Sequence, residues 1–134
     1  MSDIPDVGVL PDDGMGSDLA VLAARIADEN KATDIIVLDV GEVLAITGYF
    51  VVASASNRRL ARMVVESIEH AAKERLARSP VRIEGLREQQ WILVDYGDVV
   101  VHVFVDELRE FYEIERLYRD STRLAWQIPA ATDR

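Results

Sequence analysis

Two carboxylates, an imidazole and an indole fall within one short run of the chain: Asp95, Asp98, His102 and Trp91. Paired carboxylates with a nearby imidazole can hold a divalent cation or divide general acid and base duties. That chemistry requires the run to fold back on itself. Asp95-Tyr96-Gly97-Asp98 lies between two apolar, β-branched stretches, with glycine where a tight turn needs a positive φ. The pattern predicts a β-hairpin with Tyr96-Gly97 as its two loop residues. The register then sets Asp95 opposite Asp98, Leu93 opposite Val100 and Trp91 opposite His102. Alternation sorts the hairpin into two faces. Ile92, Val94, Val99, Val101, Val103 and Val105 make one, wholly aliphatic and suited only to a core. Trp91, Leu93, Asp95, Asp98, Val100, His102 and Phe104 make the other, and function is expected there.

Each of these residues also has a plainer use. Facing carboxylates repel across a hairpin, and no third ligand stands at a suggestive spacing except His102. Turn geometry, with the aspartates accepting backbone N–H groups beside Gly97, ranks ahead of recognition, and recognition ahead of catalysis. Trp91 and His102 suit a stacked pair under a helix as well as an exposed anchor of the kind enriched at interface hot spots. His70 sits in a charged helix and reads as solvated. Ser54 and Ser56 follow a strand without a G-x-S-x-G elbow, so no nucleophile set can be assembled. Ser54-Ala55-Ser56-Asn57-Arg58-Arg59 at a helix start could take a phosphate, but it lacks the glycines of a phosphate cradle and is read as N-capping.

The elements that must carry these side chains fit in one domain of 134 residues and 15.0 kDa. The chain is 49% hydrophobic and 29% charged, which fits a folded globule. It has no cysteine, which removes disulfides and thiolate metal sites and suits a cytoplasmic protein. No apolar run reaches the roughly 20 residues of a membrane span, and the start lacks the marks of a targeting segment. A net charge of −9 argues against broad nucleic-acid binding and towards basic partners. Arg58, Arg59, Arg62, Lys73, Arg75, Arg78 and Arg82 make a local basic strip, read first as a solvated helix face.

In chain order, residues 1–16 are expected to be a disordered acidic lead, with glycines, prolines and aspartates. Ser17 would cap a helix from Asp18 to about Asn30, its stripe Leu19, Leu22, Ala23 and Ile26. Strands are expected over Asp34–Asp39 and Tyr49–Ala55, joined by a connector in which Leu44 and Ile46 pack down. Ser56 would cap a helix from Asn57 to about Arg78 with a stripe of Leu60, Met63, Val64, Ile68 and Ala71. Val81–Ile83 reads as a short edge strand. After the hairpin, a helix from Asp106 to about Arg119 would face Leu108, Phe111, Tyr112, Ile114 and Leu117 inward. Residues 120–134, with Trp126 and Pro129, read as a weakly specified tail. The expected fold is α/β, a mixed sheet of four or five strands with flanking helices; the passage from Tyr49 to Gln90 is long enough for a parallel crossover.

The string W-I-L-V-D-Y-G-D-V-V-V-H-V-F (Trp91 to Phe104), followed by E-F-Y-E-I-E-R-L-Y (Glu110 to Tyr118), closely resembles the Iojap family of ribosomal silencing factors. The likeness continues upstream through Lys31-Ala32, Asp34 to Val40, and Ile46-Thr47-Gly48-Tyr49 to Ser54, and covers roughly residues 18–119. Gly48 departs from it, since family members often carry aspartate before Tyr-Phe. The resemblance implies a domain over residues 17–119 related in fold to nucleotidyltransferases, without transferase activity, cofactor or metal. A nucleotidyltransferase pairs a Gly-Ser helix start with Asp-x-Asp on a strand, and this chain has neither. The resemblance also implies docking on ribosomal protein fourteen of the large subunit, blocking of the small subunit, lowered translation when nutrients are short, and a homodimer off the ribosome. On that basis Trp91, Leu93, Asp95, Tyr96 and Asp98 are the expected contacts, with Thr47 and Tyr49 as neighbours. The rival expectation is a divergent, metal-dependent nucleotidyltransferase-like enzyme using Asp95, Asp98 and His102.

Overall fold

A computed structural model describes residues 10–41, 47–112 and 121–127. Helix α1 spans Leu10–Glu29 and leads into strand β1, Thr33–Asp39, and strand β2, Tyr49–Ala55. Helix α2 (Arg58–Leu76) crosses to a short strand β3 (Arg82–Glu84), then the hairpin strands β4 (Trp91–Asp95) and β5 (Val99–Val105). Helix α3 (Asp106–Tyr112) and a two-residue strand β6 (Thr122–Arg123) complete the order. The six strands form one sheet, β3-β4-β5-β2-β1-β6. Among the described strands only β2 and β5 run parallel, from Tyr49 beside Val99 to Ala55 beside Val105. A parallel pair needs a long return path, and α2, β3 and β4 supply it.

Alternation along the strands builds two cores. Val51, Ala53 and Ala55 of β2, Ile92 and Val94 of β4 and Val99, Val101 and Val103 of β5 lie under α1 and α2. Leu38, Val40, Phe50, Val52 and Phe104 form a smaller cluster on the other face, with Leu108 of α3 against it. The aliphatic face of the hairpin is thus core, as its composition requires: Ile92, Val94, Val99, Val101 and Val103 are fully buried.

The hairpin register differs from the expected one by two residues. Asp95 lies opposite Val100, Leu93 opposite His102 and Trp91 opposite Phe104, and the Tyr96 N–H donates to the Val99 carbonyl at 2.8 Å. The turn residues are therefore Gly97-Asp98, with Gly97 at φ +93°. A shift of two keeps the paired strand side chains on their expected faces, because the strand period is two. Its cause is local: the Asp95 carboxylate accepts the Gly97 N–H at 2.8 Å, and Asp98 no longer faces another anion.

Other elements also shift. Helix α1 begins at Leu10, eight residues before Asp18, so Ser17 lies inside it and is not its cap. Helix α2 is capped by Asn57 rather than Ser56, its Oδ1 accepting the Leu60 N–H at 2.8 Å. The buried stripe of α2 is Ala61, Val64, Val65, Ile68, Ala71 and Ala72, which rotates Met63 outward to 45% exposure. Strand β6 pairs with β1, placing Arg123 beside Leu38, so this stretch adds a sixth strand instead of trailing free. Trp126 is buried; its indole N–H donates to the Ile35 carbonyl at 3.2 Å, and Arg25 Nε donates to its carbonyl at 2.7 Å. Leu44, Ile46, Ile114 and Leu117, the side chains of Phe111 and Tyr112, and the 1–9 part of the acidic lead lie outside the described residues.

Candidate functional site

The mixed face of the hairpin opens on the side of the sheet away from α1 and α2. Trp91, at the start of β4, stacks on Phe104 with ring centroids 4.9 Å apart and planes at 26°. Its indole N–H donates to His102 Nδ1 at 3.2 Å, and the indole stays partly exposed. His102 is buried and meets Phe50 edge-on at 4.6 Å. Burial pushes its pKa down to about 4, so the ring is neutral near pH 7. With Nδ1 accepting, the proton resides on Nε2, which is buried without a hydrogen-bond partner.

Towards the turn from His102, a cleft of about 190 Å³ is floored by Phe50, Leu93, Val100 and His102. Thr47, Gly97, Asp95 and Arg82 line the rest of it. Arg82 sits on β3 directly across from Asp95, and its guanidinium approaches that carboxylate to 3.3 Å. Arg82 also lies 3.5 Å from Glu84. Asp98 is taken by another arginine: Arg78 Nη2 lies 2.6 Å from its Oδ1 and also reaches the Tyr96 carbonyl. The Asp98 carbonyl accepts N–H groups from Gly48 and Tyr49, both at 3.0 Å, tying the hairpin turn to the start of β2.

The structure therefore divides the expected site residues. Trp91, Leu93, Asp95 and Thr47 share the cleft side. Tyr96 is turned into the helix-side core at 4% exposure, beneath the Arg78 guanidinium at 5.9 Å. Burial, and secondarily the Glu69 charge, push its phenol up to about 12, with Arg78 opposing. Tyr49 also belongs to the helix side, against α1 at Gly16. The Asp98 carboxylate also turns to the helix side, held by Arg78 beside Gly16 of α1. The expected contact roles of Tyr96 and Tyr49 thus require side chains that face away from the cleft.

Asp95 and Asp98 do not form a facing pair, and each lies against a guanidinium. Among the described residues no cluster of three or more His, Asp or Glu side chains could hold a metal ion. Ser54, a candidate phosphate ligand, instead accepts a 2.7 Å hydrogen bond from buried Arg109 of α3. The basic strip is broken as well. Arg62 pairs with Glu66 at 3.0 Å, and Arg78 and Arg82 are committed to the hairpin. Sequence reasoning missed Arg78 and Arg82 as partners of the turn; a pairing register for Arg82-Ile83-Glu84 against β4 would have exposed the second. What remains is a small, mostly apolar cleft whose carboxylate Asp95 lies against Arg82.

The family described as "Ribosomal silencing factor during starvation" matches residues 16–134. The chain belongs to that family. The match runs on through β6 and Trp126, beyond the residues that carried the resemblance in the sequence. The Bacillus subtilis ribosomal silencing factor RsfS is 33% identical over 100 residues, covering 75% of this chain and 84% of that protein. A mouse protein named "Mitochondrial assembly of ribosomal large subunit protein 1" is 35% identical over 112 residues, covering 81% of this chain and 49% of that longer one. A crystal structure of a Chromobacterium violaceum protein superposes with a TM-score of 0.73 at 30% identity, covering 87% of this chain and 95% of that one. The mixed sheet with flanking helices is thus a ribosomal silencing factor fold. No helix among the described residues is long and apolar enough to cross a membrane.

Proposed function

We propose that this silencing factor acts in the cytoplasm by steric exclusion: it docks on ribosomal protein fourteen of the large subunit and keeps the small subunit from joining. The docking surface is the cleft side of the hairpin, with Trp91 and Leu93 as apolar anchors, Thr47 beside them, and Asp95 with Arg82 as a polar rim. The supporting observation is that Trp91 stays partly exposed while its ring is fixed from two directions, by Phe104 stacking and by the His102 acceptor. A rigid, partly exposed indole beside a cleft is what an interface anchor needs, because little rotamer freedom remains to be lost on docking. Asp95 and Asp98 serve by shaping the turn more than by presenting free charge. The action expected under nutrient limitation is repression of translation without chemistry, and the free protein is a homodimer.

The enzyme reading would need Asp95 and Asp98 to converge on a cation, and the turn separates them while Arg82 and Arg78 occupy their carboxylates. Binding to purified ribosomal protein fourteen tests the docking reading. Trp91→Ala is expected to weaken it by at least about 2 kcal/mol, and Leu93→Glu to abolish it, while Lys73→Glu on the exposed side of α2, across the sheet, leaves it unchanged. Equal binding by all four proteins would remove the cleft from the interface.

A further inference from the structure

A second surface lies on the far side of the molecule, in the seam between α1 and α2. It is a groove of about 630 Å³ whose apolar floor is Ile26, Met63 and Ala71. Glu29, Glu66 and Glu74 stand along it, with Arg75 at one end. Met63 is one of two large apolar side chains exposed among the described residues, and the rotation of the α2 stripe puts it there. From Met63 to Arg75 the groove follows α2 for about 18 Å at the usual rise, room for roughly three turns of another helix.

Three features specify the charge of whatever fills it. Helix α1 ends in Asp28-Glu29 with no basic residue in its last turn, so two carboxylates add to the negative end of the helix dipole. Among the described residues neither Glu29 nor Glu74 has an ion-pair partner. Burial, and secondarily the Glu66 charge, push the pKa of neighbouring Glu69 upward.

We propose that this groove docks a second protein partner through a basic amphipathic helix, an apolar side chain seating on Met63 and Ile26 between lysines or arginines that meet Glu29 and Glu74. Helix-in-groove recognition uses this arrangement of apolar anchors, and a flexible methionine floor adapts to the incoming side chain. The groove and the hairpin cleft lie on opposite sides of the sheet, so both can be filled at once. The inference does not rest on the docking reading above.

The test is an amide NMR titration of the full chain with a synthetic leucine–lysine amphipathic helix, and with its counterpart in which every lysine is glutamate. The basic peptide is expected to give saturable shifts at Ile26, Met63 and Ala71, and the acidic one none. Met63→Lys and Glu74→Lys should each weaken the basic peptide roughly tenfold or more, whereas Glu88→Lys, the same charge change elsewhere, should not. Both groove positions are exposed, and retained peak dispersion would show that the variants fold. Shifts spread over the surface, shifts confined to the hairpin cleft, or equal weakening by Glu88→Lys would overturn the proposal. Self-association that Met63→Lys abolishes would give the groove to a second copy and overturn it too.

Discussion

His102 shows how a single buried side chain couples this face to pH. In the unfolded chain its pKa lies near 6.5, and in the fold burial holds it at about 4. Above pH 6.5 the ring is neutral in both states and costs nothing. Between 6.5 and 4 the unfolded chain binds the proton and the folded one does not, so stability falls with falling pH. Between pH 7 and 4.5 the loss is roughly 2–3 kcal/mol. Urea unfolding at the two pH values should show it, and His102→Gln should remove that part of the difference because glutamine can still accept from Trp91. Ala77, which closes α2 with φ +56°, offers an opposite case. Ala77→Gly is expected to stabilise the protein by about 0.5–1 kcal/mol, since the left-handed region strains any Cβ; the same unfolding measurement checks it.

At the scale of elements, the hairpin is held by groups far from it in sequence. Arg78, just past the end of α2, bonds the Asp98 carboxylate and the Tyr96 carbonyl together. Arg78→Ala should cost about 1–2 kcal/mol, after allowing for the partial exposure of the pair. It should also broaden the amide signals of Gly97 and Asp98. Gly85, before β4, has φ +91°, and a Cβ there would collide with the Trp91 carbonyl oxygen. Gly85→Ala should therefore destabilise by at least about 2 kcal/mol and loosen the β3–β4 pairing. At the opposite edge, Trp126→Ala should cost roughly 3 kcal/mol by opening the core beside β1, readable as a lowered melting temperature. These same contacts mark where the sequence could and could not be read. Strand β2 was legible to the residue, because Tyr49-Phe50-Val51-Val52-Ala53 allows little else. The two hairpin faces were legible because alternation survives a shift of two. The register itself was not, since Asp95 folding onto Gly97 and Arg78 reaching Asp98 leave no periodic signal. Trp126 was missed for a related reason: a two-residue strand carries no pattern, and only the neighbouring Leu124 and the indole hinted at burial. Tyr96 looked available because turn residues usually are, yet Arg78 and the helix-side core draw it inward.

The division into two sheet faces organises the whole molecule. One face is closed by α1 and α2, the other keeps a cleft beside a fixed indole, and the strong charge of the chain is partly cancelled where it matters. Arg82 and Arg78 neutralise the hairpin carboxylates, so docking should depend on shape and apolar contact more than on free charge. Binding to ribosomal protein fourteen should accordingly weaken only modestly between low and moderate salt, unlike a phosphate-driven association. The most direct measurement is subunit joining itself, followed by gradient sedimentation of separated large and small subunits with increasing amounts of the protein. Joined ribosomes are expected to decline as the protein co-sediments with the large subunit, and Trp91→Ala to lose both effects together. Full joining with the wild-type protein still bound to the large subunit would contradict it.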